Sequence, residues 1–178
     1  MTSFNTFSII KRNVIIAFLS GIMQCTDDIS EIWIVSPWVS VIERWQDTFD
    51  KFYSTFDSFI KRIDRKKINV TIVTRSPTSD TENSFIQKFE EIETARILFL
   101  QTLHAKIYIC ENKKMDFAII GSPNFTTKSI SNIEVGLFIN AIQDGKKIIE
   151  DLIETCNDII SLKKCVYHKK RPLIIKSI

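Results

Sequence analysis

His104 and Lys106 stand two residues apart, and so do Ser122 and Asn124. Side chains alternate between the faces of a strand, so each pair shares a face, while Ala105, Ile107 and Ile109 turn the other way into a core. Between the pairs, HAKIYICE and DFAIIGS read as two apolar strands joined by the polar turn ENKKM. Such a hairpin returns Ser122 and Asn124 to the side of His104, and four polar groups converge where an apolar sheet ends. A histidine beside a lysine on one strand face is electrostatically wasteful unless something anionic satisfies both. A strand face open to water is the plainer explanation, and the second polar pair weakens it. The chemistry on offer is that of holding an anion at the strand ends.

The stretch H-A-K-I-Y-I-C-E … I-G-S-P-N-F resembles the H-x-K and G-S-x-N signature of the phospholipase D superfamily. The likeness continues through TTKSISNIEVGLFI, where an acidic residue, here Glu134, starts the next strand, and IVSPWV (34–39) is similar to the family's first strand and turn. The clear match runs from Leu103 to Ile139. An H-x-K alone carries nothing; the three motifs in order, on strands, are specific. One departure is Glu111, where the signature has Asp. It falls in the hairpin turn on this reading and is taken as structural, with Asp116 also available to the turn.

The resemblance implies roles for five residues. His104 is the nucleophile that forms a phosphohistidine. Lys106 and Asn124 hold the non-bridging oxygens, and Ser122 supports the cluster. Glu134 accepts from the other ring nitrogen of His104. No metal or other cofactor is implied. The family's mechanism needs a second histidine as general acid, and the only other one, His168 in CVYHKKRP, has neither motif around it and reads as an exposed tail residue. A homodimer that apposes two copies of the motif across a two-fold axis supplies it.

These residues need a scaffold. The expected elements are a helix over 7–24, a strand at 31–36, and a long helix opened by a capping box at Ser40 and Glu43. That helix carries Trp38, Ile42, Trp45, Phe49, Phe52, Phe56, Phe59 and Ile63 as an aromatic seam, facing its own sheet or a second subunit. Strands follow at 68–74 and 96–100, with a helix from Ser79 to about Thr94 between them. The motif hairpin, a strand at 134–140 and a helix over about 143–163 complete the chain. The fold class is α/β: a mixed β-sheet flanked by helices on both faces, a phospholipase D-like fold in one domain spanning 1–178.

With 178 residues, 44% hydrophobic and 25% charged, the chain has the profile of one globular domain. A net charge of +3 does not itself indicate nucleic acid. Lys61, Arg62, Arg65, Lys66 and Lys67 form one basic cluster, and Lys163, Lys164, His168, Lys169, Lys170 and Arg171 another. Solvated helix ends and a tail are the plain reading, a backbone-phosphate track the functional one. The expected contacts are the first cluster, Arg75, and Lys169, Lys170 and Arg171. The four cysteines form no C-x-x-C pair, so a zinc site is not indicated and reduced thiols in a cytoplasm fit. The apolar run 14–19 is too short for a membrane span, and no membrane partner is expected.

Three functions follow. The first is a metal-independent phosphodiesterase acting on nucleic acid, DNA before RNA. It would be an endonuclease subunit of the kind found in restriction or antiviral defence systems, with a partner protein supplying target recognition. The second is a degenerate dimer that binds nucleic acid or scaffolds a complex. The third is a phospholipid-acting enzyme of the same superfamily.

Overall fold

Alternation along the strands, with β-branched residues at most apolar positions, dictates a sheet buried on both faces. Ile32 and Ile34 enter one core and Trp33 and Val35 the other; Ile72 and Val73, Ile97 and Leu98, and Tyr108 and Ile109 divide the same way. The computed structural model describes residues 6–25, 28–46 and 53–170. In chain order its elements are β1 (Phe7–Ile10), α1 (Val14–Gln24), β2 (Ile29–Val35), β3 (Arg44–Gln46), β4 (Tyr53–Thr55), α2 (Phe56–Lys66), β5 (Asn69–Thr74), α3 (Asp80–Glu90), β6 (Ala95–Phe99), β7 (Ile107–Asn112), β8 (Phe117–Gly121), α4 (Thr127–Ser131), β9 (Gly136–Asn140), α5 (Asp144–Ser161) and β10 (Val166–Lys169).

Eight strands form one sheet in the order β1-β9-β8-β7-β2-β5-β6-β10. The β2–β5–β6 pairings are parallel and the others antiparallel. One face packs on α1, α2 and α3, the other on α5. The mixed α/β architecture with helices on both faces is therefore as expected.

Several boundaries differ. Within the segment expected as one helix over 38–63, Val39 bridges to Phe125, β3 pairs with β4, and among the described residues the helix begins at Phe56. Ser40 does not open a helix of its own. Its N–H donates to the Phe125 carbonyl (2.8 Å) and its Oγ accepts from the Thr127 N–H (3.0 Å), so both polar groups strap this segment to the loop after Asn124. Apolar residues at three- and four-residue steps come from two elements: Ile42 and Trp45 from the first, Phe56, Phe59 and Ile63 from α2. Phe49 and Phe52 lie outside the described residues. Phe56 and Phe59 are core, packed with Phe85 and Phe89, not an interface. The first helix starts at Val14, because Phe7–Ile10 pairs with β9 as an edge strand. The expected basic tail includes a strand, β10, on β6. At Ser79 the expected cap is present, its Oγ accepting from the Glu82 N–H.

Phe85 touches the rings of Phe56, Phe89 and Phe125 and so ties α2 and α3 to the loop beyond Asn124. Phe85→Ala is expected to cost about 3–5 kcal/mol, read as a lower urea midpoint with an unchanged slope. A loss below about 1 kcal/mol would mean the cluster does not hold that loop.

Candidate active site

Five segments leave the sheet at one end. Val35, the last residue of β2, pairs with Ile107, the first of β7; Ile107 pairs with Ile120; and Gly121 pairs with Gly136. His104 to Lys106, Ser122 to Asn124, Glu134, the turn Ser36 to Trp38, and Arg75 after β5 all fall at that level. His104 and Lys106 lie in the extended segment before β7, not inside a strand, and the ladder fades there into one 3.4 Å bond from the Gly121 N–H to the Lys106 carbonyl. They remain two apart, and Lys106 Nζ donates to the His104 carbonyl at 3.1 Å.

Glycine is required where β8 meets β9. A Cβ on Gly121 would lie 2.3 Å from the Val135 carbonyl oxygen. That close approach lets the Ser122 N–H donate to Val135 O (3.0 Å) while the Val135 N–H donates to Ser122 Oγ (3.1 Å). The Ser122 hydroxyl then donates to Glu134 Oε2. The expected bond from His104 to Glu134 is replaced by this one, because strand register sets Ser122 beside Glu134.

His104 is held by Arg75 instead. Arg75 Nη2 lies 3.2 Å from His104 Nε2, and Nε and Nη2 also donate to the Leu103 carbonyl at 3.1 and 2.9 Å. An arginine can only donate. Nε2 therefore presents its lone pair, and the proton of the neutral ring sits on Nδ1. The Arg75 guanidinium also lies over the Trp38 ring, 4.6 Å from its centroid. Arg75 was expected as a contact to nucleic acid and, with the loop to Ser79, at the dimer interface; its grip on His104 has no local sequence signal. Asn124 buries its amide oxygen without a hydrogen-bond partner.

Two positioning residues were also missed. Buried Ser36 donates to the Trp38 carbonyl (2.7 Å) and accepts from the Phe125 N–H (3.0 Å). Buried Tyr108 donates to the Pro123 carbonyl at 2.7 Å, fixing the residue between Ser122 and Asn124. Burial pushes the Tyr108 phenol above its ordinary range, so it stays a donor. A tyrosine two positions after the lysine, on an inward face, was the available signal. Glu111 is inside β7, not in the turn; its Oε1 accepts from Trp33 Nε1 at 2.7 Å, on the structural side of the sheet. Asp116 does serve the turn, accepting from the Asn112 N–H at 2.7 Å.

The remaining expected residues are dispersed. Lys61, Arg65, Lys66 and Lys67 are exposed, but α2 leads into the start of β5 whereas Arg75 follows its end. Six strand residues, roughly 20 Å, separate the two. Lys67 pairs with Asp64 at 3.1 Å. Arg62 turns inward and donates to the Cys25 carbonyl. Lys169 donates to the carbonyls of Phe89, Glu90 and Ile92, closing the end of α3, and burial lowers its pKa. Lys170 lies over the Tyr167 ring, and Arg171 is outside the described residues. His168 is on the edge strand β10, paired with Glu90 and against the Phe99 ring. Four strand spacings, about 19 Å, lie between β10 and β7. Among the described residues no three His, Cys, Asp or Glu side chains group as metal ligands, and no helix is long and apolar enough to cross a membrane.

A mixed sheet with an H-x-K and G-S-x-N cluster at one end defines an enzyme of the phospholipase D type. The chain belongs to the phospholipase D-like family described as cardiolipin synthase, PLD-like domain, which matches residues 22–159. Its fold is similar to that of NucT from Helicobacter pylori, at 14% identity and a TM-score of 0.59, covering 90% of this chain and 98% of that one. Nuc from Salmonella typhimurium, a phospholipase D family member, is similar at 13% identity and a TM-score of 0.55, covering 92% and 99%. TrmBL2, an archaeal chromatin protein with a novel mode of DNA binding, shares the fold at 10% identity and a TM-score of 0.52, over 89% of this chain and 55% of that one. No curated protein matches by sequence.

Removing the Tyr108 hydroxyl leaves the buried Pro123 carbonyl unsatisfied. Tyr108→Phe is expected to lose about 1–3 kcal/mol of stability, measured by urea unfolding. An unchanged midpoint would show that this bond does not hold the loop.

Proposed function

We infer that the protein is a metal-independent phosphodiesterase that cleaves nucleic acid, DNA first, as a homodimer. The observation that carries this is the convergence of His104, Lys106, Ser122, Asn124 and Glu134 at one sheet end, with His168 on the far edge strand. In the proposed reaction His104 Nε2 attacks phosphorus and the P–O bond to the leaving strand breaks. The leaving oxygen takes a proton from the His104 of the second chain. That imidazole, now neutral, accepts a proton from water as the water attacks phosphorus; the P–N bond breaks and both rings return to their starting states. Lys106, the Asn124 N–H₂ and Arg75 hold the non-bridging oxygens, whose charge grows as phosphorus becomes five-coordinate. The charge stabilisation thus comes from side chains. Ser122 and Glu134 brace the Asn124 loop, and a rotated Glu134 would reach toward His104 Nδ1 only after leaving Ser122.

Ile133 and Val135 flank Glu134 and are exposed, Ile133 at 80%. An apolar rim around an incomplete site suits a second copy, which closes it and shields those side chains. Near the site the cations are Lys106 and Arg75; Lys61, Arg65 and Lys66 would meet only a long strand that crosses to the other end of the sheet. The fold likeness to Nuc, NucT and a DNA-binding chromatin protein supports nucleic acid over lipid. A catalytically degenerate binder would not need this intact cluster. Cys25, Cys110, Cys156 and Cys165 form no disulfide, which suits a reducing cytoplasm. A role in restriction or defence, with a partner protein supplying target choice, completes the proposal.

Plasmid nicking in EDTA by the wild-type protein, beside His104→Ala, tests it. Nicking should survive chelation, and His104→Ala should lower the rate by about a thousandfold or more while remaining dimeric in sedimentation. Nicking that stops in EDTA and returns with a divalent ion would overturn the mechanism, and a fully active monomer would overturn the shared site.

A further inference from the structure

Asn124 and Glu134 also line a groove of about 590 Å³, within the ~300–1,000 Å³ of small-ligand sites. It runs between the turn after β2, the start of α3 and the loop around α4, and it includes Trp38, Ser79, Thr81, Asn132 and, at its inner end, Asn124 and Glu134. Its walls differ in chemistry from the site it adjoins. Hydroxyls and amides dominate, and the lining carries one cation, Lys128, and two carboxylates, Glu82 and Glu134. A second phosphate would be poorly held there. A neutral, planar group with hydrogen-bonding edges would be held well.

Trp38 supplies the plane. The indole is 40% exposed and lines the groove, while the Arg75 guanidinium lies against it and reaches His104 Nε2. One side chain therefore links the aromatic surface to the reacting nitrogen. Its backbone is pinned as well, since the Trp38 carbonyl accepts from Ser36 and Val39 is bridged to Phe125.

We propose that this groove is a nucleobase subsite. The base next to the scissile phosphate lies on the Trp38 indole with its edge toward the groove hydroxyls and amides, while the phosphate sits on His104, Lys106 and Asn124. A base inside a duplex is paired and stacked on both sides and cannot take that position without leaving the helix. Unpaired strands are then the preferred substrate. The inference rests on the nuclease reading above and adds to it the strand type and the residue that selects it.

The test compares a single-stranded thymidine oligomer with a base-free deoxyribose phosphate oligomer of equal length, which keeps every charge and removes every base. Wild-type kcat/KM should favour the thymidine oligomer by about 5- to 150-fold, the range of one base–aromatic stack, and annealing to a complementary strand should slow cleavage. Trp38→Ala should cut both oligomers at equal rates, and Trp38→Phe should keep part of the preference. Should Trp38→Ala not fold, binding to the His104→Ala protein decides: thymidine oligomer should quench its fluorescence, the base-free one should not, and the added Trp38→Phe change should abolish the quench. Equal cleavage of both oligomers by wild type, or an undiminished preference in Trp38→Ala, overturns the subsite while leaving the nuclease standing. Failure of wild type to cleave either oligomer overturns both.

Discussion

Strand register holds this site together. The pairings of Val35 with Ile107, Ile107 with Ile120 and Gly121 with Gly136 make four segments leave the sheet at one level. Polar side chains can gather there because the ladder has ended and the cores on both faces have closed below them. A slip of one residue in β8 would exchange Ile119 with Ile120 between faces and send Ser122 away from Glu134. The slip is opposed by the apolar pattern of the strand and by the absent Cβ at Gly121, which only this register requires.

The second constraint concerns charge. His104 and Lys106, two positions apart, cannot both be cationic at low cost without an anion. Arg75 adds a third basic group within hydrogen-bonding distance of the ring, and the lone pair on Nε2 answers it. A phosphate arriving at the site would give Arg75 and Lys106 a better acceptor and free Nε2 to attack. The resting contact thus leaves on Nε2 the lone pair that the attacking ring of the proposed reaction needs. Because His168 is committed to Glu90 on the far edge, one chain offers one imidazole to this chemistry.

What was legible in the sequence was what depends on local alternation. H-x-K and G-S-x-N could be placed near one another because period-two patterning and one turn fix a hairpin, whereas Glu134 was placed with them only by the family resemblance. The mixed sheet followed from the order of apolar runs. The segment 38–63 misled because an aromatic residue every third or fourth position fits a helix, yet Ile42 and Trp45 reach the same core from extended backbone. Nothing local distinguishes the two. Basic residues misled in a similar way: Arg62 and Lys169 look like surface cations, and only the folded chain brings the Cys25 carbonyl to one and the end of α3 to the other. Arg75 was visible as a charge but not as the partner of His104, since twenty-nine positions separate them.

The account stands on His104 as a nucleophile that works in a pair of chains. Its most direct measurement is mass spectrometry of the dimer after rapid acid-free quenching with a short oligonucleotide, mapping any phosphoramidate adduct to its peptide. The predicted result is a base-stable, acid-labile phosphoryl adduct on the peptide containing His104, at no more than one per two chains and absent from His104→Ala. Cleavage at full rate with no adduct, or an adduct on His168, would contradict it.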